Sequence, residues 1–290
     1  MRAIFQWQAG SRVLELGRRT LIMGVVNVTP DSFSDGGLHL DPTQAVAHAE
    51  KLLVDGASII DIGGESTRPG SHAAVPEDEE RKRVIPVITE LRRRRSDAVI
   101  SVDTYKSGVA RAAVEAGADI VNDISGFRWD KKMAKSIAEL KAGAVLMHSR
   151  GRPEEWYSLP PIGDPVLLVK RELRQWAEAA TLAGIKHDHL VLDPGFGFGK
   201  SFEENYPLLA RFSELQQIGF PLLAGVSRKS FLGRTLARDS KDAPVGDRQT
   251  GTLAAETALI LKGVHILRTH EVRAAVDAAK IADAIVSRGG

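Results

Sequence analysis

The sequence predicts one (β/α)8 TIM barrel over residues 1–290, with an N-terminal β-hairpin over residues 1–20 plugging the bottom of the barrel. Three observations lead there. Eight strand–helix units alternate along the chain without a break, which implies right-handed crossovers and a parallel sheet. The strands read as continuous apolar runs, as strands covered on both faces do. Each run ends in a polar cluster, so every strand delivers its chemistry to the C-terminal rim, where such barrels carry their sites. An open doubly wound sheet is the alternative, and the eightfold count opposes it. A chain of 290 residues, 43% hydrophobic and 26% charged, has the length and composition for one large core.

The elements follow in order. Residues 3–15 read as the hairpin, with Ile4, Phe5 and Trp7 before a turn at Ala9-Gly10-Ser11 and Val13 and Leu14 after it. Strand one is 21–27, followed by a Thr/Pro/Asp/Ser/Gly loop over 29–37. Asp41-Pro42-Thr43 then opens a helix carrying Ala45, Val46, Ala49, Leu52 and Leu53 on one face. Strand two, 57–62, runs into the loop 63–70, and a highly charged helix after Pro76 finishes in Arg92 to Arg95. Strands three and four are 98–103 and 118–123, separated by a helix that Gly117 closes. Strand five is 144–148, followed by a proline-bearing connection over 152–165 and a helix to Ala183. Strand six is 190–193, and strand seven is 221–227, with a helix over 250–262 after it. Strand eight, 264–270, leads into the last helix, 271–287.

The strand tips are therefore Asn27, Asp61, Asp103, Asn122 with Asp123, Met147 with His148, Asp193, Ser227 with Lys229, and Arg268 with His270. Strands seven, eight and one are neighbours in a closed barrel, so Arg268, His270 and Asn27 converge on one anionic group. The cations suit phosphate oxygens, and the Asn27 amide oxygen suits a phosphate-bound Mg²⁺. Asp103, Asn122 and Asp193 are acceptors for a flat heterocycle with several N–H donors, because a carboxylate takes two N–H groups side by side. Lys229 is placed to donate to that ring.

Several classes are excluded. A net charge of +2 gives no field for nucleic acid or a membrane surface. The absence of cysteine removes disulfides, thiolate–zinc sites and cysteine nucleophiles. No apolar run approaches the length of a membrane span, and residues 1–17 lack a signal peptide's apolar core, so a cytoplasmic protein is expected.

These residues resemble a known family. Asn27-Val28-Thr29-Pro30-Asp31-Ser32-Phe33-Ser34-Asp35-Gly36-Gly37 and Gly63-Gly64-Glu65-Ser66-Thr67-Arg68-Pro69-Gly70 resemble the two signatures of dihydropteroate synthases. Ser101-Val102-Asp103-Thr104, Val121-Asn122-Asp123, Asp193-Pro194-Gly195-Phe196-Gly197-Phe198-Gly199-Lys200, Ser227-Arg228-Lys229-Ser230 and Arg268-Thr269-His270 follow in the family's order. The likeness runs from about residue 21 to 272, and seven motifs in register at strand ends are highly specific.

The resemblance implies a transferase of folate biosynthesis. It joins 4-aminobenzoate to (7,8-dihydropterin-6-yl)methyl diphosphate and releases 7,8-dihydropteroate and pyrophosphate. It implies Asn27 as the Mg²⁺ ligand, Asp103, Asn122, Asp193 and Lys229 around the pterin, and Arg268 and His270 on the diphosphate. Met147, Phe198, Gly225, Thr269 and Thr67 complete the implied pterin-diphosphate site. Phe33, Thr67, Arg68, Pro69, Lys229 and Ser230 form the implied aminobenzoate site. Asp35, Asp103, Lys229 and Arg268 are the implied catalytic residues, with Asp35 and Asp103 stabilising a pterin-methyl cation. Sulfonamide competition and a homodimer are implied as well. The chain departs from the common pattern at Ser149, where a longer side chain is frequent, and at Thr269, where valine is.

Blander readings stand beside these. The 193–201 stretch fails the P-loop and dinucleotide spacings, with Pro194 and Lys200 where glycines are needed. Arg92 to Arg95 read as a solvated helix end that complements the dipole. His39, His48, His72, His187 and His189 read as surface or packing histidines, and His148 either lines the site or supports it. Asp61 and Asp123 read as supports that orient loops. Lys229 forming a Schiff base is the alternative to a hydrogen-bonding lysine. Trp156 and Tyr157 read either as a partner patch or as a loop anchor. The rival functions are a pterin-binding methyltransferase, which has no use for a diphosphate cluster, and a homologue that binds pterins without condensing them.

Overall fold

A computed structural model describes residues 2–29, 42–66 and 74–289. The N-terminal hairpin pairs β1 (Phe5–Ala9) with β2 (Arg12–Leu16), antiparallel, around the two-residue turn at Gly10 and Ser11. Gly10 takes a φ of 59°, the left-handed region that glycine enters without steric cost. The barrel then begins with β3 (Leu21–Asn27) and α1 (Pro42–Val54), followed by β4 (Ile59–Gly63) and α2 (Glu77–Arg94). Next come β5 (Ile100–Asp103), α3 (Ser107–Glu115), β6 (Ile120–Asp123), α4 (Met133–Leu140) and β7 (Gly143–Met147). After α5 (Pro165–Leu182) come β8 (Leu190–Asp193), α6 (Phe202–Ala210), β9 (Leu223–Ala224) and α7 (Ser230–Thr235). The chain ends with α8 (Gln249–Leu261), β10 (Ile266–Thr269) and α9 (Val272–Arg288).

The eight strands lie in the order β8-β7-β6-β5-β4-β3-β10-β9, all parallel, and a parallel bridge between Leu192 and Leu222 closes the ring. This is the expected (β/α)8 barrel. Local chemistry sets the helix ends. Asp164 caps α5 by accepting from the N–H groups of Val166 and Leu167, and Pro165 fills the first helical position. Ser201 and Glu204 form a capping box at the start of α6. In α2, four acids in the first turn and three arginines in the last complement the helix dipole.

β3 and β8 match their expected spans, while β4, β5, β6, β9 and β10 are shorter than the runs that announce them, most of all β9, expected over 221–227. Pro221 has no N–H to give the ladder and contributes only its carbonyl, to Leu192 N at 2.9 Å. The proline-bearing connection over 152–165 contains one short 3₁₀ helix, Pro153–Ser158.

Two cores result. The larger lies between the strands' outer faces and the helices, for instance Ile60, Ile62 and Val102 against Val84, Val87 and Ile88 of α2. The smaller fills the lower barrel, where Met23, Ile59, Ile120, Val145, Val191, Leu223 and Ile266 each come from a different strand. Trp7, Ala9 and Leu16 of the hairpin pack onto that layer. The plug is fastened: Trp7 Nε1 donates to His189 O at 2.9 Å, and a Cβ on Gly143 would lie 2.9 Å from Ala9 Cα. With the bottom sealed, the open end of the barrel is the C-terminal rim. Among the described residues, no helix is long and apolar enough to cross a membrane.

Candidate active site

The rim is built on alternation. Residues pointing into the barrel at the strand ends meet in the mouth, and their neighbours turn outward to the helices. Arg268 near the end of β10 points inward. Its Nε donates to Asp61 Oδ2 and its Nη2 to Asp103 Oδ2, both at 2.6 Å. Asn122 Nδ2 donates to the same Asp61 oxygen at 3.0 Å. Four strand tips are thus joined in one network. Asp61 is a support, as expected, but of Arg268 and Asn122 rather than of a loop.

Charge balance follows from this geometry. One guanidinium faces two acids, so it cannot neutralise both. Burial, opposed by Arg268 and reinforced by Asp61, pushes Asp103 up to about 7. Burial works against the charge of Arg268, yet Asp61 and Asp103 hold it above the ordinary arginine range. Asp61 Oδ1 is buried without a hydrogen-bond partner.

Across the mouth stand Asp193 and Lys229. Asp193 Oδ1 accepts from Gly195 N at 2.7 Å, and burial pushes its carboxyl up to about 6 against the pull of that N–H and of Lys229. Lys229 Nζ donates to Phe196 O and lies 4.1 Å from the centre of the Phe198 ring. Burial pulls Lys229 down to about 7, and Asp193 opposes that. Beside them Met147, Phe198 and Ile124 form an apolar cluster, with Tyr105, Trp129 and Trp156 packed around it. The mouth therefore pairs a flat apolar wall with a row of acids and one lysine.

The remaining expected residues take these places. Asn27 ends β3, half-buried, in register with Gly63 on β4. Gly225 leaves backbone bare beside Arg268, whose Cβ would lie 3.6 Å from a Cβ added there. Ser227 Oγ lies 3.0 Å from His270 Nδ1 and accepts the His270 backbone N–H at 3.3 Å. Ser230 is exposed at the start of α7. Thr269 is fully buried with its side chain beside Glu256 of α8, beneath the rim rather than on it. His148 is also fully buried: it is stacked on Trp176 at 5.0 Å, with Nε2 3.1 Å from Glu172 Oε2, and so supports the site rather than lining it. Trp156 packs edge-on against Phe198, which makes it a loop anchor. Phe33, Asp35, Thr67, Arg68 and Pro69 lie outside the described residues.

Three features escaped the sequence. Lys106 pairs with both Glu65 and Glu80, and Tyr105 Oη donates to Glu65 at 3.0 Å. Burial pushes Glu256 up to about 7, with the Thr269 hydroxyl opposing. Lys200 is buried and donates to three carbonyls. The Lys106 pairs and the third Lys200 acceptor, His148 O, lie far away in sequence, and the two nearer Lys200 acceptors depend on how its own loop folds back. A groove of about 590 Å³ at the opposite face carries no comparable cluster, since Arg12 and Arg92 there are spent on Asp119 and backbone carbonyls.

Comparison with known proteins agrees with this geometry. Residues 23–270 match the family described as pterin binding enzyme. The chain is 43% identical to the dihydropteroate synthase of Bacillus subtilis, over 96% of this chain and 92% of that protein. It is 42% identical to the Escherichia coli dihydropteroate synthase, over 92% of each. Among solved structures, Xanthomonas albilineans dihydropteroate synthase with 4-aminobenzoic acid superposes with a TM-score of 0.89 at 42% identity, covering 98% of this chain and 99% of that one. The same enzyme with 7,8-dihydropteroate gives 0.86 at 40% identity, covering 97% and 99%. The Yersinia pestis enzyme in a sulfonamide complex gives 0.88 at 40%, covering 98% and 99%. A ring of eight strands with this rim and relatives this similar over nearly their whole length leave one conclusion: the chain belongs to the dihydropteroate synthase family of pterin-binding enzymes.

Proposed function

We propose that this rim condenses 4-aminobenzoate with (7,8-dihydropterin-6-yl)methyl diphosphate, releasing 7,8-dihydropteroate and pyrophosphate. The observation that carries the residue roles is the meeting of Asp61, Asp103, Asn122 and Arg268 in one bonded network opposite Asp193 and Lys229. The ligands of the Xanthomonas albilineans structures, 4-aminobenzoic acid and 7,8-dihydropteroate, support the same pair of substrates here.

The division of labour follows from charge. Asp103, Asn122 and Asp193 accept from the N–H edge of the pterin, Lys229 donates to its acceptor side, and Met147 and Phe198 cover its face. Breaking the C–O bond leaves a pterin-methyl cation and an anionic leaving group. Arg268 spends two donors on Asp61 and Asp103 and keeps the rest of its guanidinium for phosphate oxygens. His270 stands beside it on the diphosphate side. Asp103, ionised, stabilises the cation across the same mouth. The amine of aminobenzoate attacks last; an aniline nitrogen is neutral at pH 7, so no strong base is needed. Ser230 receives the aminobenzoate carboxylate.

The residues fit Mg²⁺ only in company with the diphosphate. Asn27 offers a hard amide oxygen, and Asp61 keeps an orphaned oxygen on the adjoining strand. No group of three or more acids and histidines able to hold a metal occurs among the described residues. Asn27 would hold the ion, which supplies charge neutralisation to the leaving group when bound. We further assign a homodimer, supported by Ile281 and Ile285 exposed on one face of α9 and Leu261 on the adjoining α8. A cytoplasmic location accords with a chain free of cysteine.

The test is pyrophosphate release from the pterin diphosphate with and without 4-aminobenzoate. Release coupled to dihydropteroate and blocked competitively by a sulfonamide is expected. Binding of the pterin with no condensation would overturn the reading.

A further inference from the structure

The loop 194–199 forms the floor beneath Lys229. Its Phe196 carbonyl accepts from Lys229 Nζ, and its Phe198 ring lies under the same ammonium. What holds this loop is Lys200. Its side chain turns inward and is buried. Nζ donates to Gly195 O at 2.8 Å, Phe198 O at 3.2 Å and His148 O at 3.3 Å. The first two carbonyls belong to the loop after β8, and the third to the end of β7. Three donors of an ammonium thus meet three backbone acceptors, and no carboxylate lies within ion-pair distance of it among the described residues. The approach is close enough to demand glycine. Gly195 has a φ of 63°, and a Cβ there would fall 2.0 Å from His148 O.

A buried ammonium without an ion-pair partner is costly, and stability alone gives little reason for one where an apolar side chain would pack. We propose that Lys200 is a positioning residue of the pterin pocket: it clamps the 194–199 loop to the end of β7 and thereby fixes where Lys229 and Phe198 stand. The proposal rests on the reading that Lys229 and Phe198 face the pterin. Lys200 has a second effect through space. Asp193, Lys229, Arg150 and Glu172 are the charged groups that act on it, and its own charge favours the ionised form of Asp193. Geometry and charge are separable, because arginine keeps the charge but its planar fork does not match three converging carbonyls.

The experiment compares Lys200→Met and Lys200→Arg with the unaltered protein and with Lys229→Met. Binding of 6-hydroxymethylpterin is measured across pH 5–9, with KM for 4-aminobenzoate and thermal unfolding alongside. Both Lys200 variants are expected to fold and to lose about 10- to 100-fold in pterin affinity, the scale of a displaced binding group. KM for aminobenzoate, for which Lys229 is also an implied contact, rises less than the pterin affinity falls. In Lys200→Met the acid limb of pterin binding moves to higher pH, while in Lys200→Arg it stays in place. Combining Lys200→Met with Lys229→Met gives less than the sum of the two losses. Unchanged pterin affinity in a folded variant, additive losses, or failure of both variants to fold would each overturn the proposal. If the unaltered protein binds no pterin, it is the pocket assignment that fails instead.

Discussion

Arg268 sits between Asp61 and Asp103, 207 and 165 positions away in sequence, and bonds to each at 2.6 Å. One cation shared by two acids makes the pterin side and the diphosphate side of the mouth a single electrostatic unit. Arg268→Ala removes the cation from both. Affinity for the pterin diphosphate should fall by about 2–3 kcal/mol, the scale of charge-assisted bonds lost from a buried site. Affinity for the unphosphorylated pterin should fall less. Calorimetric titration of the two ligands checks this; equal losses would confine Arg268 to holding the acids.

The same crowding gives Asp103 a cost to stability. Its carboxyl titrates at about 7 when folded, against an ordinary 3.8. Below pH 3.8 both states are protonated and the group costs nothing. Between there and pH 7 the unfolded chain gives up the proton first, so stability declines with rising pH. Asp103→Asn should therefore raise the melting temperature at pH 8 by a few degrees and by clearly less at pH 5, where under half of the cost has accrued, while activity is lost at both. A melting temperature lowered at pH 8 would mean that the Arg268 pairing outweighs the desolvation.

The eight strands were legible because burial on both faces writes an apolar run, and the rim because each run stops at a polar residue. Asn27, Asp103, Asn122, Asp193 and Arg268 stand within or at the end of such strands, and Lys229 lies in the loop after one. What sequence left open depends on closure of the ring and on side-chain direction. The partners of Arg268 are set by which strands face each other across the barrel, not by spacing along the chain. Thr269 follows Arg268 directly, and alternation sends it outward to Glu256. Lys200 closes a motif whose spacing fails the nucleotide-loop patterns, so its sequence names no ligand for it, and only the fold of its own loop turns it inward. His148, at a strand end, reads in sequence either as lining or as support, and the ring of Trp176 stacked on it makes it support.

Asp193 offers a test of which pocket is which. One carboxylate oxygen is engaged by Gly195 N, so ligand donors must share what remains. Asp193→Asn keeps the shape but puts an NH₂ donor where the pterin also brings donors. Pterin affinity should fall about tenfold or more, and KM for 4-aminobenzoate should hardly move. Steady-state kinetics with each substrate varied in turn decides it; a larger effect on aminobenzoate would exchange the two pockets.

The bottom of the barrel should govern stability and leave the chemistry alone. Trp7 is 1% exposed, packs on the lowest layer of the barrel interior and donates to His189 O. Trp7→Ala removes an indole from a layer whose other members, contributed by the strands themselves, cannot collapse to fill the gap. A loss of about 3–5 kcal/mol in unfolding free energy is expected, read from urea denaturation. The rate per folded molecule should be unchanged, because the sealed layer lies at the opposite strand ends from Asp103, Asp193 and Arg268. A fall in that rate with stability intact would mean that the plug tunes the rim through the strands.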